Sequence, residues 1–157
     1  MKNNERTFLK RAVEIAVNGI KEGAGPFGAV ITKDGKIIAE ANTRVVLSHD
    51  PTAHAEIIAI RKASALLKTH DLSGCIIYTS CEPCPMCLGA VYWSGIKKVV
   101  YASDRHDAAA SGFNDSMIYD ELALRPGERK ITFLHLPDTG GEEVFRQWDE
   151  SENKTPY

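Results

Sequence analysis

Phe8, Leu9, Ala12, Val13, Ala16, Val17 and Ile20 recur at helical spacing, so residues 5–21 read as an amphipathic helix that Gly23 and Gly25 end. The pattern then shortens. Residues 26–31 predict a strand, Asp34-Gly35 a hairpin turn and Lys36 to Glu40 the returning strand. Gly25, Gly28 and Ala29 predict that something packs close to this backbone. Asp50-Pro51-Thr52 is a helix-start signal, and Ile57, Ile58 and Ile60 carry that helix to about Leu67. Cys75 to Thr79 reads as a short buried strand. Met86, Leu88, Ala90, Val91 and Trp93 mark another helix, and Lys98 to Ala102 another strand.

Beyond that, residues 103–116 look like loop, and Met117 to Leu122 a short helix capped by Asp115 or Ser116. Ile131 to Leu136 predicts a strand, and Val144, Phe145 and Trp148 a final helix after Gly140-Gly141. Residues 151–157 form a polar tail expected to fray. Helices alternating with strands after an opening hairpin predict an α/β fold with helices on both faces of the sheet.

At 157 residues, with 43% hydrophobic and 25% charged, the chain can build one globular domain. It has no apolar run long enough for a bilayer and no signal-peptide pattern. Three of its four cysteines fall in one short stretch, so a disulfide framework is not expected and a reducing cytoplasm is. Net charge is −2 and pI about 6.2. Lys10-Arg11, Arg61-Lys62, Lys97-Lys98 and Arg129-Lys130 are scattered, without the basic groove that phosphates need, so no nucleic-acid partner is expected.

The chemistry lies in His54-Ala55-Glu56 and Pro83-Cys84-Pro85-Met86-Cys87. Cys84 and Cys87, three apart, put both thiols on one face of a helix's first turn, where the dipole favours thiolates. His54 completes three ligands for Zn2+, with one position left open, as in catalytic rather than structural sites. Glu56 points away from His54 and suits proton transfer beside the metal, which lowers the pKa of water to about 7. A structural zinc knuckle would want a fourth Cys or His after Cys87, and a thioredoxin-like redox pair would need no H-x-E. Cys81 reads as a supporting or structural thiol, Cys75 as a buried apolar residue and Glu82 as a carboxylate favoured near a helix start.

H-x-E followed by P-C-x-x-C is the signature of zinc nucleobase deaminases. With Gly25 to Val30, Asp50 to Glu56 and Thr79 to Cys87, nearly the whole chain resembles the cytidine deaminase-like superfamily. Gly112-Phe113-Asn114-Asp115-Ser116-Met117-Ile118-Tyr119 and Asn153 to Tyr157 resemble its bacterial guanine deaminase branch. The resemblance implies a three-layer α/β/α fold around a mixed five-stranded sheet, in a single deaminase domain over residues 1–157. It implies conversion of guanine, a small-molecule purine, to xanthine and ammonia, with Glu56 as the proton shuttle. Phe27 and Trp93 would line the base pocket together with Ala55, Asp115 would accept hydrogen bonds from the purine, and Tyr157 would close over it. It also implies a homodimer in which residues 142–157 cross to the neighbour.

One departure stands out. The superfamily places a base-binding Asn eleven residues before the zinc histidine, where this chain has Thr43, with Asn42 one residue earlier. Either a bulge turns Asn42 toward the base, or Thr43 takes part of the role. Substrate alternatives are therefore isocytosine, cytosine, a triazine or guanosine. A tRNA adenosine deaminase and a structural zinc module in a binding protein are the more distant readings.

Overall fold

In the computed structural model, which describes residues 2–157, the first compact unit runs to Ser116 and the second spans Met117–Tyr157. The first unit holds α1 (Lys2–Lys21), β1 (Gly28–Lys33), β2 (Lys36–Asn42), α2 (Val45–Ser48), α3 (Ala55–Leu67), β3 (Cys75–Cys81), α4 (Pro85–Trp93), β4 (Lys98–Ser103) and α5 (Arg105–Ala110). The sheet runs in the order β2-β1-β3-β4. β1 is antiparallel to both β2 and β3, whereas β3 and β4 are parallel, so the sheet is mixed. Asp34 (φ 50°) and Gly35 (φ 74°) both adopt the left-handed region that a tight hairpin turn requires.

Alternation along the strands sorts side chains between two helical layers. Val30 and Tyr78 face α1, where they meet Ala12, Phe8 and Leu9. Ala29, Ile31 and Ile77 face α3 and α4. Ala55, Ala59 and Ala63, four apart, give α3 a flat stripe that lets it lie close on the sheet. Gly28 is where α1 touches β1: a Cβ there would stand 2.2 Å from the Ala12 carbonyl oxygen and 2.8 Å from the Ala16 nitrogen.

Three expectations need correction. The sheet has four strands, not five, because Ile131 to Leu136 is unpaired coil with Ile131 and Leu134 more than 70% exposed. Alternating apolar residues supply strand propensity, but a strand also needs a ladder beside it. Residues 105–110 form α5 rather than loop. The Asp104 carboxylate accepts from the His106 and Asp107 N–H groups, and Asp107 accepts from the Asp104 N–H, a reciprocal cap that makes a short alanine-rich helix tenable. Finally, the hairpin's irregularity lies at Ile31/Thr32, whereas Gly28 pairs with Asn42 and Ala29 with Ala41 in regular register, so no bulge re-aims Asn42.

The second unit contains most of α6 (Ser116–Ala123), a 3-10 turn at Pro126–Glu128 and α7 (Gly141–Glu150). The Ser116 N–H at the head of α6 donates to the Asn114 side chain at 3.1 Å, so Asn114 satisfies one of the N–H groups free at this helix start. In this unit the Arg129 guanidinium lies 4.9 Å over the Phe133 ring, and Ile131, Leu134, Val144 and Phe145 are exposed. No helix among the described residues is long and apolar enough to cross a membrane.

Candidate active site

His54 and Cys84 occupy equivalent places, each the extended residue just before a helix: His54 (φ −69°, ψ 154°) leads into α3 and Cys84 (φ −66°, ψ 168°) into α4. Pro85 at the first position of α4 gives up no needed N–H. Cys87 lies in the first turn, fully buried. Packing α3 and α4 on the same face of the sheet brings the three side chains together. The His54 Nδ1 atom is 3.6 Å from Cys84 Sγ and 3.5 Å from Cys87 Sγ, and all three atoms lie within 4.8 Å of one another. Bonds of about 2.0 Å to nitrogen and 2.3 Å to sulfur at a tetrahedral angle would separate N from S by about 3.5 Å. The triad therefore fits a zinc ion, and it supplies three protein ligands of the type a catalytic zinc site uses.

The electrostatics agree. Donation from the Cys87 thiol, and then from His54, lowers Cys84 to about 4, which favours the thiolate form that a metal ligand needs. The same Cys84 bond raises the His54 imidazole above its ordinary value. Cys81 differs: burial, then the Glu56 charge, push it up to about 11, and its Sγ sits 3.5 Å from the Asp104 carbonyl oxygen. It is a neutral thiol outside the triad.

Glu56, in the first turn of α3, is buried, and its Oε2 lies 3.4 Å from Cys87 Sγ. Burial is the main force raising its carboxyl above the ordinary value. Asp115 also approaches the site. Burial, and next the Cys84 charge, raise its carboxyl, and its Oδ1 is buried with no hydrogen-bond partner among the described residues.

The remaining expected residues divide. Phe27 stands ahead of β1, with its ring edge-on to Phe113 at 4.9 Å and 88°. Thr43 is buried. Its N–H donates to the Phe27 carbonyl at 3.0 Å and its hydroxyl to the Ala53 carbonyl at 3.3 Å, one residue before His54. Ala55 is wholly buried in the core beneath α3. Asn42 does not join them. Its side chain lies over Gly19 of α1, with Nδ2 2.7 Å from where a Cβ of Gly19 would stand, on the opposite face of the sheet from α3. This corrects its assignment to the base pocket; the regular strand register is the reason. Trp93 ends α4 and is 72% exposed, about 12 Å along the helix from its N-terminal turn. Tyr157 is the last residue of the second unit, 83% exposed. Sequence alone assigned Phe113 no role of its own, although it lies inside a motif already singled out; its contact with Phe27 is what marks it.

Known proteins give the site its context. A family model described as "Cytidine and deoxycytidylate deaminase zinc-binding region" matches residues 2–103. The guanine deaminase of Bacillus subtilis (strain 168) is 53% identical over 98% of this chain and 99% of its own length. An X-ray structure of guanine deaminase from Bacillus subtilis superposes with a TM-score of 0.94 at 53% identity, covering 97% of this chain and 98% of that one. A tRNA-specific adenosine deaminase of Aquifex aeolicus (strain VF5) is 42% identical over 90% of this chain and 91% of its own. The chain belongs to the cytidine and deoxycytidylate deaminase family and is a zinc-binding deaminase.

Proposed function

We propose that this enzyme hydrolyses guanine to xanthine and ammonia, with His54, Cys84 and Cys87 holding the zinc and Glu56 moving the protons. The observation that carries the chemistry is a buried carboxylate beside a ready donor set, Glu56 at 3.4 Å from Cys87. Zinc in such a site supplies Lewis acidity that makes water a competent nucleophile near neutral pH. Glu56 would take one proton from the attacking water and pass it to the ring nitrogen, then take the second from the newly added hydroxyl and pass it to the amine, which leaves as ammonia as the C–N bond breaks. A carboxyl raised by burial is suited to both halves of the task. Guanine is favoured by the near full-length likeness to a guanine deaminase.

Phe27 forms a wall of the base pocket, Thr43 supports it through the Phe27 backbone, and Ala55 backs it from the start of α3. Asp115 accepts hydrogen bonds from the amide edge of the purine; its unpartnered buried oxygen supports this. The protein acts as a homodimer exchanging residues 142–157, with Trp93 and Tyr157 completing the pocket. The exposed Ile131, Leu134, Val144 and Phe145 support that assembly, since apolar area of this kind is normally covered. The single-domain organisation over residues 1–157 follows from the same reading.

The test is ammonia release by zinc-loaded protein from a panel of guanine, guanosine, cytosine, isocytosine and an aminotriazine. Guanine is expected to turn over fastest; turnover of another ring with guanine untouched would reassign the substrate. The second reading, a tRNA adenosine deaminase, takes its support from the 42% identical relative. A net charge of −2 weighs against it. A salt-dependent gel shift with tRNA would favour it. Light scattering reads the oligomer.

A further inference from the structure

The segment from Asp104 to Asp115 is fastened to the rest of the first unit at both ends. At the first end, the Glu82 carboxylate accepts three hydrogen bonds from Arg105: its backbone N–H at 3.1 Å, Nε at 3.3 Å and Nη2 at 2.7 Å. Glu82 is two residues before Cys84, in the loop that carries the zinc thiol. The same loop is stitched by the Glu82 N–H to the Ser103 carbonyl at 2.8 Å. At the second end, Phe113 rests edge-on against Phe27. Between them, α5 is closed by its reciprocal cap and by the Phe113 N–H donating to the Ala108 carbonyl at 3.0 Å. Asp115 follows two residues later.

The Glu82 side chain is only 19% exposed, and a two-pronged guanidinium on a shielded carboxylate fixes orientation as well as distance. That is more than a carboxylate near a helix start requires. We propose that Arg105 is a positioning residue: gripping Glu82, it holds the segment bearing Asp115 in register with the loop bearing Cys84, and so sets the purine's edge relative to the metal. This deepens the reading of the site as a purine pocket and rests on it for the substrate.

The experiment compares zinc-loaded wild type, Arg105→Gln and Arg105→Lys by metal content, by amide hydrogen exchange over residues 105–116 and by guanine kinetics. Arg105→Gln should keep one zinc per chain, exchange at 105–116 about tenfold faster and raise KM about tenfold while kcat changes less than about threefold. Arg105→Lys, with the charge but not the fork, should fall between, and it reads the same quantities should Arg105→Gln not fold. In an Asp115→Asn background, Arg105→Gln should add nothing further to KM. Unchanged exchange at 105–116, additive KM effects or loss of zinc in step with kcat would each overturn the proposal. If wild type leaves guanine untouched, the substrate reading fails, while the exchange arm still decides whether Arg105 fastens the segment.

Discussion

Glu56 and Cys87 face each other across the junction of α3 and α4, with carboxylate oxygen and sulfur 3.4 Å apart. Neither helix alone makes this pair; it arises because both helices begin at the same level over one face of the sheet. Glu56 contacts Cys87 but is outside the donor set of His54, Cys84 and Cys87, so it can be altered with all three donors kept. Glu56→Gln should retain zinc, measured by atomic absorption, and lose kcat by about 10²–10⁴-fold. A variant with full turnover would remove Glu56 as the proton carrier.

Asn42, which ends β2, and Thr43, which follows it, should behave differently. Asn42→Ala removes a side chain that lies against α1, and should leave KM within about twofold. Thr43→Val deletes the hydrogen bond to Ala53, whose carbonyl also accepts from Arg44 at 2.8 Å; it should cost about 1 kcal/mol of stability and raise KM more than Asn42→Ala does. Steady-state kinetics beside urea melts would check both. The reverse ranking of KM would return the Asn42 amide to the pocket.

Close approach at Gly28 makes a stability test with an internal control. Gly28→Ala would drive a methyl into the backbone of α1 and should destabilise by about 3 kcal/mol or more. Gly89→Ala, in α4 with nothing within 4 Å of the added carbon, should stabilise by about 0.5–1 kcal/mol. Thermal melting of the two variants reads the contrast.

Arg11 in α1 clamps Glu40 in β2 through Nε at 2.7 Å and Nη2 at 2.9 Å, and this bond holds the Glu40 carboxyl below its ordinary 4.5. A carboxyl with a depressed folded pKa stabilises the fold fully above its unfolded value. The contribution shrinks as pH falls below 4.5 and is gone once pH passes below the folded value. Side-chain exposures of 41% and 33% mean solvent screening, so Arg11→Met should cost only about 0.5–1 kcal/mol at pH 7. Urea midpoints should show that difference vanish in acid; a constant difference down to pH 2 would mean the loss is of packing alone.

The donor set was legible because the spacing itself is the chemistry: residues three apart at a helix start share a face wherever that helix goes. Legible for the same kind of reason were α1, from its apolar stripe, and the hairpin, from Asp34-Gly35. Local pattern misled where a partner decides the outcome. Ile131 to Leu136 alternates like a strand but has no ladder, and Asp104 to Ala110 reads as loop until the reciprocal cap is seen.

By itself, then, the order of residues determined a candidate His/Cys/Cys donor set, the Glu56 carboxylate near it and the α/β class, because each depends on separations of only a few positions. Only the tertiary structure decided that His54 meets Cys84 thirty residues away, that Asn42 turns to α1 while Thr43 stays with Phe27, and that Arg105 reaches Glu82. Those facts depend on strand register and on which helices share a face of the sheet. Register and layering are set by packing summed over the whole first unit, so no local window contains them.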